Sequence, residues 1–295
     1  MPSQLPPIHL IVCGAEKSGT TSLFGYLSAH PGVCASSRKE TDHFRDPAST
    51  LGQYMAYFSH GDGRARVLLE SSPGYMAESA TVASRLATAL PQARLVFLLR
   101  DPIDRLRSSF RFYKSRLHVP DGMSFETFVG HCLAVEDGGG TPAQIGLAEW
   151  HLHSLSRGRY ERQIADFSDV FPAAQIKMVH YNHLRDHERA CVKEIAAFAS
   201  LDPGFFDSFE FSRENVSFLA RNRRLQRVAI LVNDGFEGLW RRYPALKKQL
   251  LRLYKRFNER ELDSDPLADE TLAKLRRWYA PTQALLDSLP QRKGS

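Results

Sequence analysis

The feature that most constrains the fold is a loop over residues 14–22 that contains two glycines, with the sequence GAEKSGTTS. It follows an apolar run from Ile8 to Cys13 and leads into an amphipathic segment from Thr20 to His30. Glycines allow a tight turn and a close backbone approach to a ligand, and the free N–H groups of a first helical turn attract negative charge. The order of strand, loop and helix therefore predicts an anion-binding site.

The same alternation of strand and helix continues along the chain. The apolar runs at 67–69 and 95–99 precede amphipathic segments at 78–90 and 102–117, and a further strand is predicted at 176–179. Runs that are apolar throughout suit strands buried on both faces, and strands that alternate with helices form parallel sheets. We expect an α/β, P-loop-NTPase-like three-layer fold, with a central parallel sheet of about five strands flanked by helices and followed by C-terminal helices.

The remaining segments are predicted to be mostly helical. Residues 124–132 and 146–170 have helical patterns, and the chain is expected to form one domain over 1–295 with a helical extension over about 225–295. Basic and aromatic residues alternate over 239–257. We favour a helix whose apolar stripe covers the core there; the alternative is peripheral contact with an anionic surface such as a membrane.

Composition excludes several classes of protein. Hydrophobic residues make up 43% and charged residues 24%, as in a globular enzyme, and 39 Lys and Arg against 33 Asp and Glu give a net charge of +6. A disordered chain, a coiled coil and a collagen-like repeat are excluded. No signal peptide and no apolar stretch of about 18 residues is visible, so a soluble, cytoplasmic protein is predicted. The four cysteines lack zinc-site spacing, and neither a metal nor a nucleic-acid partner is expected.

The loop differs from the ATP-binding Walker A motif. That motif has lysine directly after its second glycine, whereas Thr20 holds the position here and Lys17 lies two residues before Gly19. This spacing argues against an ordinary ATPase or kinase and leaves a nucleotide-binding variant of the same fold open.

A second candidate site follows the strand at 95–99. Arg100 stands at its carboxyl end, where open α/β sheets bind ligands, and Pro102 begins a helix that carries Ser108. Arg100 is interpreted either as a second phosphate contact or as an ion-pair partner of Asp101 or Asp104. A magnesium site at Asp101 is not favoured, because an arginine precedes it and a proline follows it.

With these motifs the chain resembles sulfotransferases that use 3′-phosphoadenosine 5′-phosphosulfate (PAPS), especially the branch of heparan-sulfate-type and bacterial carbohydrate enzymes. Residues 14–21 are similar to the 5′-phosphosulfate loop, and Arg100 with Ser108 to the 3′-phosphate motif. Residues 39–44 are similar to K-E-x-x-x-F, residues 70–75 to E-K-[ST]-P-x-Y, and residues 157–160 to R-G-x-Y. The five motifs occur in family order.

The resemblance implies a role for each matching residue. Glu40 would be the catalytic base, with His43 as a second candidate, and Lys17 would stabilise the departing phosphate oxygen. The 3′-phosphate would bind to Arg100 and Ser108. The expected contacts to the rest of the co-substrate are Ser18, Gly19, Thr20, Thr21, Ser22, Arg157, Gly158, Tyr160, Arg221, Arg223 and Arg224.

Two positions depart from the family pattern. Ser71 stands where the heparan-type enzymes have lysine, and Asp42 where many relatives have histidine. The expected acceptor is a hydroxyl, or else an amine, of a glycan, glycolipid or small natural product, and neither its identity nor the oligomeric state follows from the sequence. The alternatives are a P-loop-type ATP-dependent kinase and a non-catalytic module that binds a nucleotide or a polyanion.

Overall fold

A computed structural model describes residues 7–61, 65–212, 219–220, 222–235, 249–250, 254, 258–260 and 265–290. These residues fall into two compact units. We call them the sheet unit, within Met1–Arg105, Arg157–Asn215 and Trp278–Ser295, and the helical unit, within Leu106–Ser156 and Val216–Arg277.

The sheet unit is built on five parallel strands, as predicted. They are β1 (Ile8–Gly14), β2 (Val33–Ala35), β3 (Val67–Ser71), β4 (Arg94–Leu99) and β5 (Ile176–His180). Their order is β2-β3-β1-β4-β5, with Leu10 paired to Leu69 on one side and to Arg94 on the other. The sequence analysis did not predict β2, which spans only Val33–Ala35.

Helices cover both faces of this sheet. Those wholly in the sheet unit are α1 (Thr20–Ser28), α2 (Leu51–Ala56), α3 (Ser79–Ala89), α8 (Tyr160–Ser168), α9 (Tyr181–Asp186), α10 (Glu188–Phe198) and α13 (Ala280–Ser288). Successive β1 side chains enter different cores: Ile11 and Cys13 pack with residues of α3 and α8, whereas Leu10 and Val12 pack with residues of α1 and α10. Because neighbouring strand residues point to opposite faces, this alternation produces three layers.

The helical unit contains α5 (Phe125–Glu136), α6 (Pro142–Ile145), α7 (Glu149–Leu152), α11 (Arg223–Gly235) and α12 (Asp269–Trp278), while α4 (Pro102–Ser115) begins in the sheet unit and continues here. Its core includes Phe110, whose ring lies 5.4 Å from Phe125 and 5.3 Å from Phe128 between centroids. The expected extension is not helical throughout, since β6 (Leu219–Ala220) pairs antiparallel with β7 (Glu259–Arg260). Most of the basic segment at 239–257 lies outside the described residues.

The predicted continuous helix over 146–170 is wrong. Gly146 ends α6 with a left-handed φ of 73°, and a 3-10 turn at Ser156–Gly158 separates α7 from α8. Gly158 lies against the Tyr279 ring, where an added Cβ would be 2.7 Å from Cε1. The segment has a helical pattern of apolar residues, but tertiary contacts divide it into separate helices.

Within the described ranges, no helix combines the length and the apolar character needed to cross a membrane. The four cysteines are buried and carry no disulfide.

Candidate active site

The predicted anion-binding loop joins β1 to α1 at the carboxyl edge of the sheet. Its backbone has left-handed φ angles at Lys17 (64°) and Gly19 (87°), and Ala15 N–H donates to the carbonyl of Leu98 at 2.7 Å. An added Cβ at Gly19 would meet Leu184 at 3.2 Å and Tyr181 at 3.3 Å. Gly19 is therefore favoured both by its backbone angle and by the close packing of its neighbours.

The first turn of α1 supplies donors to this loop. No side chain caps the helix, so the amides of its first residues, Thr20, Thr21 and Ser22, have no acceptor inside the helix. Ser18 is fully buried, and its Oγ has no hydrogen-bond partner among the described residues. A buried hydroxyl without a protein partner is available to bind a ligand or a water molecule at the loop.

Lys17 lies among four charged groups. Burial lowers the pKa of its ammonium group; Glu16 and Glu40 act to raise that pKa, whereas Arg100 and Lys39 lower it further. Lys17 and Glu40 therefore share one electrostatic environment, and their catalytic roles stay predictions. Glu40 is exposed over 53% of its side chain and accepts a hydrogen bond from Lys39 Nζ at 2.6 Å.

Arg100 contacts the same loop from the end of β4. Its Nη1 donates to the carbonyl of Lys17 at 3.1 Å, and its guanidinium carbon lies 4.8 Å from the centre of the Tyr181 ring. Arg185 approaches that ring at 5.9 Å. Sequence reasoning missed Tyr181, although its place directly after β5 put it at the edge where such sheets bind ligands.

The R-G-x-Y residues also reach this edge. Arg157 is 8% exposed, and its Nε lies 3.5 Å from Oε2 of Glu16 in the loop. Tyr160 is fully buried near Arg100 and Arg105; burial raises the pKa of its hydroxyl to about 12 although both arginines lower it. Arg157 thus contacts the loop through Glu16, whereas Tyr160 lies near Arg100; their roles in binding the co-substrate stay predictions.

His43, the second candidate base, is buried in an aromatic cluster. Its ring lies 5.1 Å from Phe44, 5.3 Å from Tyr54 and 6.2 Å from Tyr57, and burial lowers the pKa of its imidazole. These contacts favour a packing role. The Glu40 carboxylate, by contrast, is exposed, and the assignment of the base stays a prediction.

The other predicted contacts belong to the helical unit or lie outside the described residues. Ser108 is half-buried on α4, Arg223 forms a 3.1 Å ion pair with Asp121, and Arg224 is exposed. Arg221 lies outside the described residues, and the roles of all four remain predictions. Among the described residues, no group of three or more His, Cys, Asp or Glu side chains could hold a metal ion.

In this structure a lysine-containing loop and a second cation lie at the carboxyl ends of parallel strands. This arrangement is typical of the class of proteins that bind phosphorylated ligands at that edge of the sheet. Within that class, the sulfotransferase-domain family model matches residues 7–220, and the chain belongs to this family.

Curated relatives match over parts of the chain. A membrane-associated sulfotransferase, kil1, from Dictyostelium discoideum is 36% identical over 107 residues, which is 35% of this chain and 22% of that protein. Human bifunctional heparan sulfate N-deacetylase/N-sulfotransferase 2 is 26% identical over 205 residues, which is 67% of this chain and 22% of that protein. The chain therefore matches only about a fifth of the length of either relative.

A solved sulfotransferase structure from Alicyclobacillus acidocaldarius is similar over 78% of this chain and 93% of its own, with a TM-score of 0.56 and 24% identity. This likeness shows that the two chains share a fold, and the predicted fold class is confirmed.

Proposed function

We propose that this chain transfers the sulfuryl group of PAPS to a hydroxyl of a glycan, glycolipid or small natural product, with an amine as the alternative acceptor. The observation that carries the proposal is the anion loop itself. Lys17 and Arg100 meet there, and the buried Ser18 hydroxyl has no partner in the described part of the chain. The amine is retained because relatives are named N-sulfotransferases.

The contacts support binding of the two phosphate ends of PAPS by different residues. The loop amides and Ser18 would bind the 5′-phosphate, with Lys17 beside the oxygen that bridges phosphorus and sulfur. Arg100, held by the Lys17 carbonyl and the Tyr181 ring, would bind the 3′-phosphate. Donors that are already in place stabilise developing charge without reorganising during the reaction.

In the transfer step, the acceptor oxygen forms a bond to sulfur while the bond between sulfur and the bridging oxygen breaks. The electron pair of the broken bond stays on that oxygen as adenosine 3′,5′-bisphosphate (PAP) leaves, stabilised by Lys17. Glu40 takes the acceptor proton. Its solvent-exposed carboxylate, in the electrostatic environment of Lys17, suits that role.

Calorimetric titration with PAP tests the proposal, with AMP and magnesium-ATP as comparators. We expect metal-independent PAP binding that is at least tenfold tighter than AMP binding, since a charge-assisted contact contributes about 1.5–3 kcal/mol. Arg100→Ala should abolish that preference. Arg94→Ala is the matched control, because Arg94 lies at the opposite end of β4 and binds Ser200 at 2.8 Å.

Other results of the titration and transfer assays would contradict this proposal or favour one of the alternative functions. Equal affinity for PAP and AMP would refute the 3′-phosphate site, and a preference for magnesium-ATP would support the kinase. PAP binding without any sulfuryl transfer, and without an effect of Glu40→Gln, would support a non-catalytic binding module.

The predicted cytoplasmic location and the contact of 239–257 with an anionic surface also stay proposals. Co-sedimentation of the protein with vesicles that contain phosphatidylserine tests the surface contact. Loss of binding when the basic residues of 239–257 are replaced by glutamine would support it.

A further inference from the structure

A fully buried carboxylate, Glu70, lies one residue before the end of β3 and collects hydrogen bonds from three hydroxyls. Its Oε1 accepts from Ser72 at 2.7 Å, from Tyr75 at 2.6 Å and from Thr41. Burial raises the pKa of Glu70, whereas these hydrogen bonds act to lower it. A carboxylate that accepts three hydroxyl protons leaves the lone pairs of each hydroxyl oxygen available to other donors.

Those lone pairs are used by three consecutive backbone amides. Asp42 N–H donates to the Ser72 hydroxyl at 3.0 Å, and Phe44 N–H donates to the Tyr75 hydroxyl at 3.3 Å. Between them, His43 N–H donates to the Thr41 hydroxyl at 3.2 Å. Each of the three amides is therefore linked to Glu70 through a different hydroxyl.

Hydrogen bonds hold the backbone on both sides of Glu40, and those on the carboxyl side lead to Glu70. On one side the Lys39 carbonyl accepts from Ser71 N–H at 3.3 Å, and on the other the Thr41 side chain is bound to Glu70. Asp42 then adopts a left-handed φ of 51°, which a non-glycine residue seldom adopts unless its surroundings hold it. The Glu40 side chain is thus exposed to solvent, while the backbone on both sides of it is hydrogen-bonded.

We propose that Glu70 is a positioning residue that holds the Glu40 carboxylate at the anion loop through the hydroxyls of Thr41, Ser72 and Tyr75. The inference rests on the proposed function, in which Glu40 is the base. A carboxylate suits this position because one oxygen, Oε1, accepts from all three hydroxyls and its negative charge strengthens each bond, whereas the neutral carbonyl oxygen of a glutamine accepts more weakly.

A double-mutant cycle on PAP affinity tests the inference without knowledge of the acceptor. Glu40 acts on the pKa of Lys17, so Glu40→Gln removes a carboxylate near the bound phosphates and should tighten PAP binding roughly threefold to tenfold. In the Glu70→Gln variant the Glu40 carboxylate is no longer held in place. The same Glu40 substitution should then change PAP affinity by less than about twofold.

A second cycle measures the rate of PAP formation from PAPS with N-desulfated heparan oligosaccharide as the acceptor. Glu70→Gln should lower kcat about tenfold to a hundredfold and leave the KM for PAPS nearly unchanged, as expected when a supporting hydrogen bond is lost. It should have little further effect on kcat once Glu40 is glutamine. A residue that only stabilises the fold would have the same effect in both backgrounds.

Matched variants keep the test valid if Glu70→Gln fails to fold. Thr41→Val should reproduce the loss of kcat, and Thr41→Ser, which restores the hydroxyl, should recover it. The control is Ser79→Ala, which breaks another hydroxyl–carboxylate bond of the sheet unit, to Asp166 at 2.5 Å. It should leave kcat and PAP affinity unchanged.

The outcomes separate the two claims. Absence of PAP binding, or a Glu40→Gln variant with unchanged PAP affinity and kcat, would overturn the proposed function. If Glu40→Gln has its expected effects but they are equally large with and without the Glu70 carboxylate, only the positioning role is overturned.

Discussion

Replacement of Gly158 by alanine tests the tertiary contact that divides the predicted long helix. The added Cβ would lie 2.7 Å from Cε1, 3.0 Å from Oη and 3.1 Å from Cζ of Tyr279. Ordinary carbon contacts begin at about 3.5 Å, so the ring or the turn must move by roughly 1 Å. Tyr279 is only 2% exposed, which leaves the ring little room.

The cost of this clash follows from ordinary overpacking. Forcing a carbon into a packed site costs about 1–3 kcal/mol, and for a chain of this size each kcal/mol lowers Tm by roughly 2–4 °C. The Gly158 carbonyl also accepts from Thr282 Oγ1 at 3.0 Å, so a shifted turn weakens that bond. We expect Gly158→Ala to lower Tm by roughly 2–12 °C.

The same displacement should affect the ligand. Arg157 precedes Gly158 and lies 3.5 Å from Glu16 in the anion loop, so PAP should bind more weakly to Gly158→Ala. The assays are thermal unfolding with and without PAP and calorimetric titration. Gly25→Ala is the control: Gly25 lies in α1 with nothing within 4 Å of an added Cβ, and alanine there should stabilise the protein by about 0.4–1 kcal/mol. If the two variants melt alike, the packing argument is wrong.

Three further predictions concern single side chains. Ser18→Ala should weaken PAP binding about tenfold and leave Tm nearly unchanged, because the buried hydroxyl has no partner to lose among the described residues; a large fall in Tm would contradict this. Burial lowers the pKa of Lys17 and a bound phosphate should raise it, so PAP binding should take up a proton at alkaline pH and weaken as the pH rises. Calorimetry in two buffers of different ionisation enthalpy measures that uptake, which Lys17→Met should abolish. Burial lowers the pKa of His9 from 6.5 to about 4, so the folded state binds fewer protons than the unfolded state, and stability should fall by up to about 3 kcal/mol between pH 6.5 and 4. Urea unfolding should show a smaller loss over that range in His9→Phe than in the unaltered protein.

Four of the five sheet strands could be placed from the sequence to within two residues. Their apolar runs are local signals, because a strand buried on both faces needs consecutive apolar side chains. Strand β2 was not predicted; it is short, and Val33, Cys34 and Ala35 form it by pairing with β3. The helix predicted over 146–170 failed for the opposite reason: its local pattern was helical, but Gly158 meets Tyr279, which lies far away in the sequence.

The candidate site divides in the same way. Lys17 and Arg100 were predicted because each lies next to a recognisable strand end, and the structure joins them through the Lys17 carbonyl. Tyr181 was missed because its contact with Arg100 joins residues that follow two different strands, β5 and β4. The bond between Thr41 and Glu70 was missed because nothing local marks a side chain bound to one 29 residues away.

The sequence by itself determined a strand, a loop with two glycines and a helix, since the conformation of such a loop depends on glycines and hydroxyl residues within a few positions of each other. Only the tertiary structure decided which distant groups complete the site: Arg157 beside Glu16, Tyr181 against Arg100, and Glu70 beneath the Glu40 segment. These contacts depend on the order of the strands and on side-chain burial, which arise when the layers pack together and not from the spacing of residues along the chain.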